Sequence, residues 1–276
     1  MRKNNEKMKC LLCEKVKDKM AEAHIFPIGF FKNIKTKGKA QSYSSSGERG
    51  RRLQKAIYDN QIVCQDCEHD ILEPLDDYAI KVLRDRQGLF EQVSHPGAKD
   101  TKFLVFSNVD KTRLRYFFAS VLWRVSVSKQ LELKTISVGS FYEEKIREDL
   151  YNHGNIDYID VFTFFLTDLM HNAFFMPYRK KIKPMDTARD SQSVNGWVLQ
   201  FPNISITLSL DKRCHPNRVF FKLSPELTES NTELLISTSI HPENEAYKFM
   251  VVEAKNNKGM IEHIMNTFKK SNRNHA

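Results

Sequence analysis

The sequence predicts an α+β chain, a small cysteine-bound knuckle followed by a mixed helix and antiparallel-sheet domain, and three observations carry that prediction. Four of the five cysteines fall in two Cys-x-x-Cys pairs, Cys10/Cys13 and Cys64/Cys67. Behind Asp110, apolar residues recur at the i, i+3, i+4, i+7 spacing of a helix that buries one face. From Asn195 onward the pattern changes to short alternating or β-branched runs separated by Pro, Asn and Asp, which is the signature of strands joined by turns.

In chain order, the first unit spans residues 1–93. It opens with a cysteine pair and the apolar segment AHIFPIGFF, passes through a polar loop from Asn33 to Arg52, and returns to a second cysteine pair that leads into a helix. The loop is rich in Lys, Ser, Gly and Arg, a composition expected to stay mobile until something binds it. Pro74 suits the first turn of a new helix, and Tyr78, Ile80, Val82, Leu83 and Leu89 follow at roughly helical spacing. Ser94 to Asp100 carries a Pro-Gly turn signal and marks the boundary to a second unit, residues 100–276. That unit starts with the strand-like TKFLVFSNV. Asp110 then caps a helix whose apolar face is Leu114, Phe117, Phe118, Val121, Leu122 and Val125, with Trp123-Arg124 read as core plus a neighbouring salt bridge. A shorter amphipathic helix around FYEEKIREDLYNH is expected to end at Gly154. GWVLQF, ISITLSL, RVFFKL and ELLISTSI predict an antiparallel sheet, EAYKFMVVEAK fits strand or helix, and GMIEHIMNTFKK predicts a closing helix.

Composition narrows the class. A chain of 276 residues with 41% apolar and 28% charged residues can bury a substantial core. The N-terminal MRKNNEKMKC lacks the apolar stretch of a secretory signal, so a cytoplasmic location is expected. The most apolar stretch, Tyr158 to Met176, is interrupted by Asp160, Asp168 and His171, which are costly in a bilayer; it reads as a buried helix or strand pair, and no membrane partner is predicted. The formal net charge of +9 is uneven. Residues 1–54 hold 14 Lys or Arg against 5 Asp or Glu, and the remainder is balanced. An excess confined to one segment points to a polyanion as that segment's partner.

Two Cys-x-x-Cys pairs suit a tetrahedral zinc ion, because thiolates two residues apart can bend around one metal while a second pair closes the site. Cys10, Cys13, Cys64 and Cys67 are therefore the predicted ligands of a structural Zn2+, and the 50 residues between Cys13 and Cys64 form an insertion held at both ends. Cys214 in DKRCHPN reads as an ordinary thiol.

Between the pairs lies Glu22-Ala23-His24-Ile25-Phe26-Pro27, and Asn60 precedes Cys64, with Glu68 and His69 directly after Cys67. This order resembles the zinc-bound branch of the HNH endonucleases over about residues 8–72. The resemblance implies a treble-clef-like ββα knuckle and metal-dependent hydrolysis of phosphodiester bonds, in DNA more than in RNA. It makes His24 the general base, Asn60 the organiser of the loop, and Glu68 or His69 the residue beside a catalytic Mg2+ or Mn2+. Ala23 stands where the family often has an acidic residue or a second His as a metal ligand, and Glu68 where it commonly has His. Lys32, Lys35, Lys37, Lys39, Arg49, Arg51 and Arg52 flank the site as a nucleic-acid clamp. The resemblance also implies a setting in anti-phage defence, with a homo-oligomer or an operon-encoded protein as further partner. Two other readings stay open: a non-catalytic zinc module that binds nucleic acid or protein, and a nuclease gated by a C-terminal sensor. No catalytic motif is evident in residues 100–276.

Overall fold

The computed structural model describes residues 7–31, 40–43, 51–53, 57–85, 90–94, 102–106, 109–130, 133–134, 136–165, 173–182, 194–201, 204–210 and 234–237. Within them the chain is α+β, with helices packed beside one nine-stranded sheet and two two-stranded ones. The small pairs are β1 (Met8–Lys9) with β2 (Val16–Lys17), and β3 (Ala23–His24) with β6 (Tyr58–Asp59), both antiparallel. Among the described residues no helix is long and apolar enough to cross a membrane.

The first helix, α1, runs without a break over residues 65–84, alternating α-helical turns (Gln65–Cys67, Glu73–Ala79) with wider π-type turns (Glu68–Leu72, Ile80–Arg84). Pro74 thus lies inside a helix that has already begun, instead of starting a new one. The wide turn directly before it provides the reason: a proline removes one N–H from the ladder and crowds the preceding turn, and a π-type turn relieves that crowding. Helix α2 (Lys111–Val127) begins where its sequence predicts, the Asp110 carboxylate accepting a hydrogen bond from the Arg113 amide at 2.8 Å. Leu114, Phe117, Phe118, Val121, Leu122 and Val125 are all buried. Helix α3 (Ser140–Asn152) ends on His153, which takes the left-handed conformation (φ 53°) expected of a glycine. Gly154 is needed one residue later for space, because a Cβ there would lie 2.3 Å from an Asp149 carboxylate oxygen.

The large sheet contains β4 (Ala40–Tyr43), β5 (Arg51–Leu53), β7 (Phe90–Ser94), β8 (Lys102–Phe106), β9 (Asp160–Phe165), β10 (Ala173–Ile182), β11 (Val194–Phe201), β12 (Ile204–Ser209) and β13 (Leu234–Ser237), in the order 5-4-10-11-12-9-13-8-7. Most neighbours are antiparallel, and β10/β4 and β9/β13 are parallel. Two expectations change here. The polar loop between the cysteine pairs contributes β4 and β5, a hairpin that satisfies its backbone hydrogen bonds at the sheet edge, so these parts are strand and not free loop. Tyr158 to Met176 does supply strands, but β9 pairs with β12 and β13 while β10 pairs with β4 and β11. RVFFKL, EAYKFMVVEAK, GMIEHIMNTFKK and Cys214 lie outside the described residues.

One core runs from the cysteine-rich segment into helix α2 and strand β11. Phe30 stacks on Phe117 (centroids 6.0 Å apart) and lies 4.6 Å from Phe201, which also meets Phe26 edge-on at 6.4 Å. Such ring pairs add about 0.5–1.5 kcal/mol each beyond the area they bury. The turn Ile28–Phe31 approaches α1 so closely that a Cβ on Gly29 would meet the Ile80 Cδ1 at 2.3 Å and the Arg84 Nη1 at 3.2 Å. Arg84 also donates a 2.6 Å hydrogen bond to the Gly29 carbonyl. Gly29→Ala is expected to cost about 1 kcal/mol through this overpacking, lowering the thermal midpoint by about 2–4 °C in a chain of this size; a midpoint equal to wild type in a melting scan would contradict it.

Candidate metal centre

The two cysteine pairs, far apart in sequence, meet because the backbone closes the insertion between them. The Leu11 amide donates to the Ile62 carbonyl at 2.8 Å and the Ala21 amide to the Val63 carbonyl at 2.9 Å, and Met20 bridges Cys64. The first pair sits on a tight turn closed by the Cys10 amide and the Lys15 carbonyl (2.9 Å), with Glu14 in the left-handed region. The second pair opens α1, where the Glu68 amide bonds the Cys64 carbonyl at 3.0 Å. Side chains brace the outside: Lys17 reaches Asp66 at 2.6 Å, and Arg147 from α3 donates to the Leu12 carbonyl at 3.3 Å while pairing with Glu144 and Glu14.

The result is four sulfur atoms within 4.8 Å of one another, close enough to bind one metal ion. The Cys10–Cys67 sulfurs are 3.9 Å apart and the Cys13–Cys64 sulfurs 4.0 Å, far beyond a disulfide bond. A regular tetrahedron with metal–sulfur bonds of about 2.3 Å has sulfur–sulfur edges of about 3.8 Å, so the spacing suits a thiolate-bound ion. The electrostatics agree. A hydrogen bond shared with the Cys67 thiol, helped by main-chain amides of Cys13, Cys64 and Leu12 and opposed by burial, pulls the Cys10 thiol down to about 4. The Cys64 amide lies 3.3 Å from that sulfur. Cys67 and Cys64 are pushed upward, Cys67 chiefly by its bond to Cys10 and Cys64 chiefly by burial, so the thiols share protons among themselves.

His24 stands on β3 directly across from Tyr58 on β6, half-buried, one strand away from the chain that enters α1. Ala23 beside it is fully buried, so position 23 faces the core. Glu68, the residue after Cys67, is half-buried, and its Oε2 atom has no hydrogen-bond partner. Burial pushes its carboxyl up to about 7, with Asp76 and Glu73 adding to the rise and the Arg124 charge and a main-chain hydrogen bond from His24 opposing it. His69 turns outward to solvent, its Nδ1 2.9 Å from Glu73, whose carboxylate raises the imidazole's pKa. Asn60 is exposed, and the bonds that order its loop come from Asp59: one carboxylate oxygen accepts from the Gln61 amide at 2.9 Å and the other from the Ser128 hydroxyl at 2.7 Å. Arg51 and Arg52 lie on β5, and Lys32, Lys35, Lys37, Lys39 and Arg49 fall outside the described residues.

Trp123 is core and Arg124 forms a salt bridge, as their place on the helix predicts, but the partner lies far off in sequence. Arg124 of α2 is fully buried, and all five of its N–H groups are matched. It donates to both Asp76 carboxylate oxygens (2.9 and 2.7 Å), to the His24 carbonyl (2.5 Å), and to the Ser120 carbonyl and hydroxyl (3.3 and 3.2 Å). Burial works against the guanidinium's charge, and the Asp76 carboxylate more than restores it. Strand β3, helix α1 and helix α2 are thereby fixed to one another by a single side chain. What the sequence does not reveal is the partner, Asp76, 48 positions away on α1.

Comparison with known protein families, with curated proteins and with solved structures finds no match.

Proposed function

We propose that the four thiolates hold a structural zinc ion, that β3, β6 and α1 form a treble-clef-like ββα unit around it, and that the chain is a metal-dependent HNH-like nuclease acting on DNA. The observation that carries this reading is the placement of His24. It lies on the strand paired with the segment that enters the thiolate-held helix, and Glu68, one residue past the last cysteine, bonds the His24 main chain. An imidazole there can act as general base toward an attacking water. Arg124 fixes the backbone of the same residue, so the base is presented from a rigid strand. The second cation fits the donor set at one point only: the buried Glu68 oxygen without a partner. A divalent ion held there, completed by water and substrate phosphate, would stabilise charge on the leaving oxygen.

A second reading rests on a specific observation. Among the described residues, the thiols are the only group of three or more side chains placed to hold a metal. That favours a zinc-stabilised nucleic-acid-binding module in which His24 is structural. A plasmid and single-strand cleavage assay with Mg2+ or Mn2+ separates the two. The nuclease reading expects cutting that needs the added ion and falls by about 10²–10⁴ in His24→Ala, with about one zinc per chain retained in both proteins. Cutting by neither protein with any ion, at the same zinc content, would leave the binding module.

A further inference from the structure

The residue paired with His24 is an exposed tyrosine. Ala23 and Asp59 oppose each other on the inward side of the β3/β6 pair, both buried, so strand alternation places their neighbours His24 and Tyr58 on the outward side, directly across from one another. The Ile25 amide bonds the Ile57 carbonyl at 2.9 Å, which makes His24 and Tyr58 a non-hydrogen-bonded pair, the kind whose Cα atoms come within about 4.5 Å and whose side chains lie closest. Tyr58 is 38% exposed, and among the described residues neither its ring nor its hydroxyl has a partner. Val16, Ile28 and Phe141 are the other exposed large apolar side chains among the described residues, and none of them is paired with His24.

Both strands of the pair are held from beneath. Arg124 on α2 donates to the His24 carbonyl, and Ser128, the residue after α2, donates its hydroxyl to the inward Asp59 carboxylate at 2.7 Å. The other Asp59 oxygen accepts from the Gln61 amide at 2.9 Å, which fixes the turn that follows Tyr58. Turning Tyr58 inward would require a one-residue slip that expels Ala23 and Asp59 from the core. The ring therefore keeps its place beside the imidazole, and a tyrosine, with only two side-chain torsions, loses little freedom when a flat group covers it.

We propose that Tyr58 is a stacking platform for an unpaired base next to the phosphate that His24 addresses, and that it directs the nuclease to single-stranded DNA. The platform rests on the nuclease reading proposed above and gives it a substrate class. An exposed aromatic ring beside the general base matches the π-face that every nucleobase offers, which makes such stacking strong and indifferent to sequence. In a duplex both faces of a base are covered by its neighbours. Tyr58 is then usable only by a base in a single strand or by one flipped out of its stack, and flipping adds an unstacking cost that a single strand is spared. Asn60 and Gln61 follow on the surface with amide groups able to donate to and accept from base edges.

The test compares the affinity of the full-length, zinc-loaded protein for a labelled adenine-rich single strand, for its duplex and for an abasic strand of equal length, all without divalent cations. Tyr58→Ala is expected to weaken single-strand binding by about 5–150-fold, the range of one lost stacking contact, and to leave duplex binding nearly unchanged. The preference of the wild type for the single strand over the abasic strand should shrink by the same factor, a change that a merely structural role would not produce. Tyr58→Phe and Tyr58→Trp are expected to keep that preference. Tyr58→Thr, a β-branched residue suited to a strand, replaces the alanine variant if that protein loses its zinc or its cooperative melt. Single-strand affinity equal to wild type in Tyr58→Ala, beside a parent that binds and cuts, overturns the platform and leaves the nuclease standing. Equal losses for single strand, duplex and abasic strand do the same, since they would mark a phosphate contact or local damage. Tyr58→Phe as weak as Tyr58→Ala would assign the contact to the hydroxyl and overturn stacking. A parent that binds no DNA overturns both readings. A parent that binds through Tyr58 and cuts nothing with Mg2+ or Mn2+ added would sink the nuclease and support the platform.

Discussion

Removing the zinc proposed for the Cys10/Cys13/Cys64/Cys67 cluster is expected to unfold the cysteine-rich segment, not merely loosen it. Apart from its packing on α2 and β11 and the bonds from Arg124 and Arg147, little else orders that segment. Its strands β1, β2, β3 and β6 are two residues long each, and the two halves of the knuckle are joined by a few main-chain hydrogen bonds. Isolated two-stranded pairs are marginal in water at best. A structural zinc site contributes about 10–16 kcal/mol of apparent binding energy at neutral pH, which is folding energy when the apo site is not preformed. Without the ion, four sulfurs crowded within 4.8 Å and largely buried have to share protons or separate. The effect reaches beyond the segment, because Phe26 and Phe30 pack on Phe117 and Phe201. Chelation to below a tenth of an equivalent of zinc should abolish the cooperative melt of residues 7–85 and disturb the fluorescence of the buried Trp123. Cys67→Ser should do the same without a chelator. A metal-free protein that melts at the holo temperature would show the cluster to be dispensable for the fold.

Much of this was readable from local signals and little of it from non-local ones. The cysteine pairs, the Asp110 cap and the apolar face of α2 are encoded within a few residues of one another, and each sits where spacing and capping chemistry put it. Pro74 misled because its N-terminal preference is a local rule, overridden by a helix that begins at the second cysteine pair and is widened ahead of the proline. The partner of β9 could not be read from its neighbour β10, since strand pairing depends on which edges are free once the rest of the sheet has formed. The same holds for the hairpin β4–β5, whose polar composition suggests a loop and whose backbone nevertheless completes a sheet margin. Around His24 the polar residues with the most partners, Asp59, Asp76 and Arg124, have no motif. They are separated from the atoms they bind by up to 100 positions.

Breaking the Asp76–Arg124 pair from one side is expected to be among the most damaging single changes outside the cysteine cluster. The Asp76→Ala protein would keep a fully buried guanidinium with two of its N–H groups deprived of their carboxylate. Removing one partner of a buried ion pair typically costs about 3–5 kcal/mol, because the remaining charge has neither water nor a counterion. Arg124→Met would err the other way, stranding the Asp76 carboxylate near Glu68, whose Oε2 is already without a partner, and releasing the His24 carbonyl. The comparison that decides the matter is the double change Asp76→Leu/Arg124→Met, since replacing both charges with packed apolar groups is often neutral or stabilising. Urea unfolding of the zinc-loaded proteins should therefore show each single variant less stable by about 3–5 kcal/mol and the double variant less damaged than either. Single variants within about 1 kcal/mol of wild type would mean that the network is solvated enough to dispense with its countercharge. If the double variant proves stable and yet loses DNA cleavage with its zinc in place, the pair is needed to hold the backbone of His24 in register. A buried arginine would then be retained at this position for the geometry of the strand it fixes, since stability alone would be served as well by a methionine.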